Sequence, residues 1–359
     1  MQKKHIAILT GPDTYLDHLA PICYLMDMPL IVTEENTYLS AQTFYPQVKI
    51  VKKDHLELST DFLAKNFDVI FESGKFWSME LKPLFSLLYN KKMRFVFCPH
   101  GNSDKGHSIK TPIEQDLSLV YGDHMVELLT ATGAIKHIAS LARTGNYRLP
   151  FYRKYQPFYD SLVEKHILSK TNKAKKVILY APTWQDGENP TSFFTSTKKL
   201  IEELKDDFTL IIKLHPFLEE FHPAQTYYIT SLYENTPNVI FLKHFPSIYS
   251  LLQISDLYIG DYSSIGYDFL AFNRPLYFLK EPGTSLSMLH PCGLVIPPEK
   301  GINTFIQKTL ESNQKEKEEA RKNLYLHAFG EERSFSDIKQ EITQKLALWT
   351  TKEMNNQLF

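Results

Sequence analysis

Two histidines stand where apolar runs end. His100 follows RFVFC (94 to 98) in the stretch FCPHGNSDKGHS, and His215 follows FTLIIKL (208 to 214) in IIKLHPFLEE. An imidazole titrates near neutral pH, so either histidine can take up or deliver a proton during group transfer. The first stretch also imitates a phosphate-binding loop, because Gly101, Gly106 and Ser108 fall on that loop's two glycines and hydroxyl. His107 occupies the position that needs lysine, and Pro112 disfavours the helix that should follow, so the P-loop reading is disfavoured. What remains is His100 beside Gly101, whose lack of a side chain lets a substrate or another backbone approach. The alternative is a histidine that only caps a turn.

Three more loops follow strand-like runs. The run ending at His215 also delivers Lys213, and Pro216 stops it. His222, in a second His-Pro pair, raises the question of a metal, but no metal site is expected there. In DLYIGDYSSIGYDFLAF an acid, Asp261, is followed by Ser263 and Ser264, placed to cap a helix running to Phe272. Open N–H groups, two hydroxyls and a bare Gly266 in the first turn suit a diphosphate. Simple N-capping is the alternative. Asp268, four residues beyond Ser264, shares its helix face and could meet a substrate hydroxyl. In VILYAPTWQDG, Pro182, Thr183 and Trp184 make a rigid aromatic turn that suits either a base or ribose or plain packing.

The elements behind these loops form two series in which short apolar runs alternate with amphipathic stretches, the pattern of βα units and parallel sheets. The first series has HIAIL (5 to 9), PLIVT (29 to 33), DVIFE (68 to 72), RFVFC (94 to 98) and LSLVY (117 to 121). After a lysine-rich passage, SKTNKAKK (169 to 176), come VILYA (177 to 181), FTLIIKL (208 to 214), NVIFL (238 to 242), DLYIG (256 to 260) and RPLYFL (274 to 279). Two long helices close the chain. Sheets of this kind bind ligands beyond the carboxyl ends of their strands, where the four loops lie.

Bulk properties narrow the field. A chain of 359 residues suggests two domains. With 40 Lys plus Arg against 41 Asp plus Glu, no overall field favours nucleic acid, so an anion site must be local. Cys23, Cys98 and Cys292 are scattered and lack a CxxC pair, which predicts free thiols in a reducing compartment. The start, MQKKHIAILTG, reads as a first strand rather than a signal peptide, and no run is long enough to span a membrane. A cytoplasmic protein is expected.

Taken in order, the His-Gly loop, TGNYR (144 to 148), YAPTW (180 to 184), KLHP (213 to 216) and GDYSSIGYDFLAFNRPLYFL (260 to 279) resemble the CDP-glycerol glycerophosphotransferase family, the teichoic-acid primases and polymerases, over roughly residues 90 to 330. The resemblance implies an α/β, GT-B-like fold of two Rossmann-like domains whose parallel sheets face each other across a cleft. The divisions expected are 1–168 for the acceptor domain, 169–335 for the CDP-alcohol domain and 336–359 for a C-terminal helix that packs back on the first. It implies transfer of a polyol phosphate from a CDP-alcohol, CDP-glycerol or a CDP-polyol such as CDP-ribitol, to an acceptor hydroxyl with release of CMP. His100 would be the base and His215 would bind or protonate the diphosphate. Gly101, Lys105, Gly145, Arg148, Pro182, Thr183, Trp184, Lys213, Asp261, Tyr262, Ser263, Ser264 and Asp268 would bind substrate. No Asp-x-Asp motif marks these loops, so no obligatory metal or other cofactor is expected.

Some residues depart from the family's pattern. Asn102, Ser103 and Asp104 replace its usual Thr-Pro-Leu, Gln185 stands where arginine is common, and Tyr147 and Leu149 interrupt the run around Gly145 and Arg148. Family members act on lipid-linked acceptors, and the segment KFWSMELKPLFSLLYNKKMR (75 to 94) mixes Phe76, Trp77, Leu84, Phe85 and Leu88 with Lys75, Lys82, Lys91, Lys92 and Arg94, as a helix at the inner face of a membrane would. The alternative is a helix packed on its sheet. Rival functions are a GT-B glycosyltransferase or nucleotide-sugar epimerase, which would act on a UDP- or GDP-linked substrate, and a non-catalytic nucleotide-binding relative. Nicotinamide binding is disfavoured, since no GxGxxG follows the first strand.

Overall fold

The computed structural model describes residues 4–74, 76–104, 115–186, 190–280 and 287–356. Each apolar run becomes a strand, and all but the partly exposed edge strand Val239–Leu242 are largely buried on both faces, as parallel sheets covered by helices require. The first sheet contains β1 (His5–Leu9), β2 (Leu30–Val32), β3 (Ile50–Lys52), β4 (Val69–Glu72), β5 (Arg94–Phe97), β6 (Leu117–Val120) and β7 (Leu141–Arg143), in the order β3-β2-β1-β4-β5-β6-β7. The second contains β8 (Lys176–Ala181), β9 (Phe208–Lys213), β10 (Val239–Leu242), β11 (Leu257–Gly260), β12 (Leu276–Phe278) and β13 (Leu294–Val295), in the order β10-β9-β8-β11-β12-β13. All pairings are parallel, with Glu72 opposite Phe97 in the first sheet and Gly260 opposite both Ala181 and Phe278 in the second.

Both orders begin third, second, first, fourth, the doubly wound arrangement whose direction reverses between the first and fourth strands. That switch point lies between β1 and β4 in one sheet and between β8 and β11 in the other. Three strands escape the sequence reading: β3, β7 and β13. Each is an edge strand of two or three residues and partly exposed, so no apolar run announces it.

The chain divides into two compact units, Met1–Phe151 with His327–Phe359, and Tyr152–Leu326. The divisions differ from those expected at 168/169 and 335/336. Helix Gln156–His166 packs against Ile248–Ile254, so the lysine-rich passage 169–176 is a connection inside the second unit. The long helix Ile302–Phe329 delivers its last turn to the first unit, where Phe329 lies edge-on to Tyr121 and the Ala328 carbonyl accepts from Asn102 Nδ2 at 3.3 Å. The final helix, Phe335–Asn356, buries Ile338, Ile342 and Leu346 at helical spacing in the same unit.

The first unit is braced by polar groups. Arg148 Nη1 donates to Asp17 Oδ2 at 2.9 Å, and the two side chains are 1% and 8% exposed. Tyr45 adds a hydroxyl donor to Asp17 at 3.1 Å. Alongside, the Tyr121 hydroxyl gives its one hydrogen to the Pro99 carbonyl, so His18 Nδ1, 2.9 Å from that oxygen, must be the donor. Burial, then the Arg148 charge, holds His18 well below its ordinary pKa and therefore neutral. Removing one member of a buried ion pair abandons the other charge in an apolar setting. Arg148→Met is therefore expected to cost the first unit about 3–5 kcal/mol in urea unfolding, with much of the loss recovered in the Asp17→Asn/Arg148→Met double variant.

Candidate functional site

In the second unit the site is built from the loops that leave β8, β9 and β11. Asp261, directly after β11, is 1% exposed and collects four hydrogen bonds. Its Oδ1 accepts from the Thr183 and Tyr262 backbone N–H groups at 2.8 and 2.6 Å. Its Oδ2 accepts from the Ser192 N–H at 3.0 Å and the Ser192 hydroxyl at 2.7 Å. One carboxylate thus joins the turn after β8, the turn after β11 and the start of helix Ser192–Leu204. Burial raises its pKa and these hydrogen bonds, Ser192's first, oppose the rise. Its ionised form therefore costs stability as pH rises through the folded-state pKa, a cost absent below the ordinary aspartate value. Read from sequence as a substrate ligand, Asp261 here turns both oxygens into the fold.

The turn so fixed carries Pro182, Thr183 and Trp184. The first two are buried and the indole is partly exposed. Trp184 stacks on the His215 ring with centroids 6.0 Å apart and planes at 30°, while Phe217 and Phe221 close around it at 4.8 and 5.6 Å. His215 caps helix Pro216–Phe221, and its Nδ1 accepts the Phe217 backbone N–H at 3.2 Å. A nitrogen that accepts carries no hydrogen, so the neutral ring bears its proton on Nε2 and offers an N–H donor there. Lys213 is buried, with Nζ 3.1 Å from the Lys243 carbonyl.

After β11, Ser263 is buried and its hydroxyl accepts from the Ile265 N–H at 3.4 Å. Ser264 is the N-cap residue, but its side chain makes no capping hydrogen bond. Capping therefore uses Ser263 and leaves the Ser264 hydroxyl for other work. The expected helix to Phe272 is α-helical over Ile265–Phe269 and then tightens into a 3-10 turn, Leu270–Phe272. Gly266 is bare for a packing reason: a Cβ there would lie 2.9 Å from Leu289 Cδ1. Asp268 is buried and accepts from the Tyr249 hydroxyl at 3.1 Å, so its carboxylate also faces the fold. Tyr262 is partly exposed, with its ring 5.9 Å from that of His290.

In the first unit His100 leaves β5 with its Nδ1 3.1 Å from the Ser73 carbonyl oxygen. A carbonyl can only accept, so Nδ1 carries the hydrogen and Nε2 is the basic nitrogen. The Tyr15 ring lies 5.0 Å away. Gly101 has φ +131°, a conformation that other residues rarely adopt, so glycine is required for the chain to turn after the histidine. Asp104, the acid next to the proposed base in sequence, is bonded by its Oδ1 to His124 Nε2 at 2.9 Å. Arg148 is engaged by Asp17, and Gly145, at φ +63°, turns beside the Phe329 carbonyl, so both serve the fold where substrate contact was expected. Lys105 and His107 lie outside the described residues.

The basic, apolar segment 75 to 94 is divided by its surroundings. Trp77 and Phe85 are in the core, and Lys82 and Lys91 pair with Asp116 and Asp68 at 2.7 and 3.1 Å. Arg94 is buried against the Leu346 carbonyl. The outer face of helix Phe76–Tyr89 nevertheless leaves Met79, Leu87 and Leu88 exposed by 45%, 79% and 59%. Among the described residues no helix is long and apolar enough to cross a membrane, and no three His, Cys, Asp or Glu side chains are grouped to hold a metal ion.

Sequence reasoning missed Ser192, which completes the Asp261 cluster, and Phe217 and Phe221, which hold Trp184. It also missed Glu72 and Ser73 behind His100. A signal was present, since DVIFE and DLYIGD both end an apolar strand with an acid.

Two doubly wound parallel sheets with strand-end histidines and a serine-bearing loop define a GT-B-like α/β protein. The likeness extends to known proteins. Residues 151–282 match the model of the CDP-Glycerol:Poly(glycerophosphate) glycerophosphotransferase family, and part of the chain is similar to teichoic-acid primases and polymerases. The teichoic acid glycerol-phosphate primase of Bacillus subtilis is 29% identical over 123 residues, 34% of this chain and 30% of that protein. The primase of the same name from Bacillus spizizenii is 35% identical over 105 residues, 29% of this chain and 25% of its own. The matches therefore span about a third or less of those relatives' lengths. The structure of the wall teichoic acid polymerase TagF superposes with a TM-score of 0.64 and 17% identity, covering 99% of this chain and 90% of that one, a likeness of fold. The family match falls on the second unit's loops and leaves His100, Gly101, Lys105, Gly145 and Arg148 outside it.

Asn at position 261 would keep one acceptor oxygen and point an amide N–H₂ at backbone donors. Asp261→Asn is expected to lower the stability of the second unit by about 2 kcal/mol and to raise the mobility of Trp184, read by thermal unfolding and indole fluorescence.

Proposed function

We propose that this protein transfers a polyol phosphate, glycerol phosphate foremost, from a CDP-alcohol to an acceptor hydroxyl and releases CMP, in the synthesis of a cell-surface polymer. The observation that carries this reading is the opposite protonation of the two strand-end histidines: His100 keeps a basic Nε2 and His215 an Nε2–H donor. The family match across the loops bearing Thr183, His215 and Ser264 supports the donor class. The relatives are named as glycerol-phosphate primases and as glycerol- or ribitol-phosphate polymerases.

In the reaction, the acceptor oxygen attacks the phosphorus next to the alcohol while its proton passes to His100 Nε2. A new P–O bond forms, the bridging P–O bond breaks, and CMP leaves with the electron pair. The His215 N–H, the Lys213 ammonium and the Ser264 hydroxyl with its neighbouring backbone N–H groups meet the charge on the donor's phosphates. Such preorganised donors are the main source of rate in phosphoryl transfer. The acceptor is lipid-linked or a glycan, reached from the cytoplasmic face of a membrane, where Met79, Leu87 and Leu88 enter the interface.

Incubation with CDP-glycerol, CDP-ribitol and UDP-sugars, together with a polyol-phosphate acceptor, is expected to yield CMP from a CDP-alcohol, with EDTA leaving the rate unchanged. His100→Ala should abolish turnover and spare donor binding, while Ser264→Ala should weaken donor binding. UDP as the product would favour the glycosyltransferase or epimerase reading, and CMP binding without turnover the non-catalytic one. Full activity in His100→Ala would remove the base. Separately, the protein should sediment with anionic vesicles, and Leu87→Asp/Leu88→Asp should release it. Equal sedimentation of the two proteins would remove the membrane face.

A further inference from the structure

Glu72 ends β4, the fourth strand of the first unit, as Asp261 follows the fourth strand of the second. It is 2% exposed, and its carboxylate turns back on its own chain. Oε2 accepts the Trp77 N–H at 3.1 Å, and Oε1 accepts the Ser78 N–H at 3.1 Å and Gln115 Nε2 at 2.8 Å. The Trp77 and Ser78 N–H groups open helix Phe76–Tyr89, so the carboxylate sits at the helix's positive end, next to the bend at Ser73 and Gly74. Gln115 reinforces the closure through the Gly74 carbonyl and the Ser78 hydroxyl. The backbone of Glu72 grips the neighbouring strand end as well, since its carbonyl accepts the Cys98 N–H at 2.8 Å, two residues before His100.

We propose that Glu72 is the positioning residue for His100: it fixes the Ser73 carbonyl, which in turn holds the hydrogen on His100 Nδ1 and keeps Nε2 basic. A histidine's tautomer is set by the hydrogen bond that its other nitrogen makes, and here the acceptor belongs to a turn with no regular structure of its own. Without the Glu72 carboxylate, the Gln115 contact to the Gly74 carbonyl and the Cys98 contact to the Glu72 carbonyl are left to set where the Ser73 carbonyl points. The second unit uses the same device, an acid at the fourth strand's end fixing the turn that places Trp184 on His215. The catalytic consequence rests on the reading of His100 as a base; the tautomer does not.

The test is nitrogen-15 NMR of histidine-labelled full-length protein above neutral pH, with His100 signals identified by their loss in His100→Asn. Wild-type protein is expected to show a protonated Nδ1 and an unprotonated Nε2. Glu72→Gln keeps the shape but loses an acceptor oxygen, and should move His100 toward protonated Nε2. In the CMP assay kcat should fall about tenfold or more, part of what a positioned base supplies, with the donor KM unchanged. If Glu72→Gln does not fold, Gln115→Leu removes one of the three donors and should move both readouts in the same direction by less. A His100 pattern unchanged by the variant that folds, or a wild-type ring protonated on Nε2, overturns the proposal, whereas an unchanged kcat despite a shifted pattern leaves the positioning standing and removes His100 as the base. If wild-type protein releases no CMP, the transferase reading falls, and the NMR pattern alone decides the positioning.

Discussion

An ionised carboxylate taken out of water costs several kcal/mol unless hydrogen bonds replace its hydration. Each unit accepts that cost at the same place, the end of its fourth strand, and offsets it with donors drawn from neighbouring loops and from the first turn of a helix. Asp261 gathers Thr183, Tyr262 and Ser192, while Glu72 gathers Trp77, Ser78 and Gln115. Because a segment that moves away leaves a buried carboxyl group short of partners, these turns are held in place. The switch point of a doubly wound sheet is where neighbouring loops diverge and leave room for a ligand. A buried acid there keeps the opening in one shape.

From that constraint follows the difference between the two histidines. Both sit after a strand, and both would be the same group in water. One meets a backbone carbonyl and becomes a proton acceptor at its outer nitrogen, while the other meets a backbone N–H and becomes a donor. Two peptide groups of opposite polarity thus separate the chemistry of identical side chains. The separation is set by hydrogen-bond direction rather than by charge.

Several residues in motif positions make their contacts within the fold. Arg148 is locked to Asp17, Asp268 to Tyr249, and Gly266 makes room for Leu289. The family match likewise concentrates in the second unit. Asn102 is turned to the long helix and Asp104 to His124, so the altered residues serve this chain's own packing.

The sequence by itself determined the central strands, the two series and the loops worth inspecting. Burial on both faces demands continuous apolar runs, and parallel strands put all their following loops at one edge. It did not disclose β3, β7 and β13, because a short edge strand is half in water and needs no apolar signature. Only the tertiary structure decided the direction each polar side chain faces and which nitrogen of each histidine bears the proton. Except at His215, whose partner Phe217 is its near neighbour in sequence, those depend on partners far away in the chain, 131 residues between Asp17 and Arg148, 78 between Asp261 and Thr183, and 27 between His100 and Ser73. Local periodicity records how much of a residue is buried; it holds no record of what the residue is buried against.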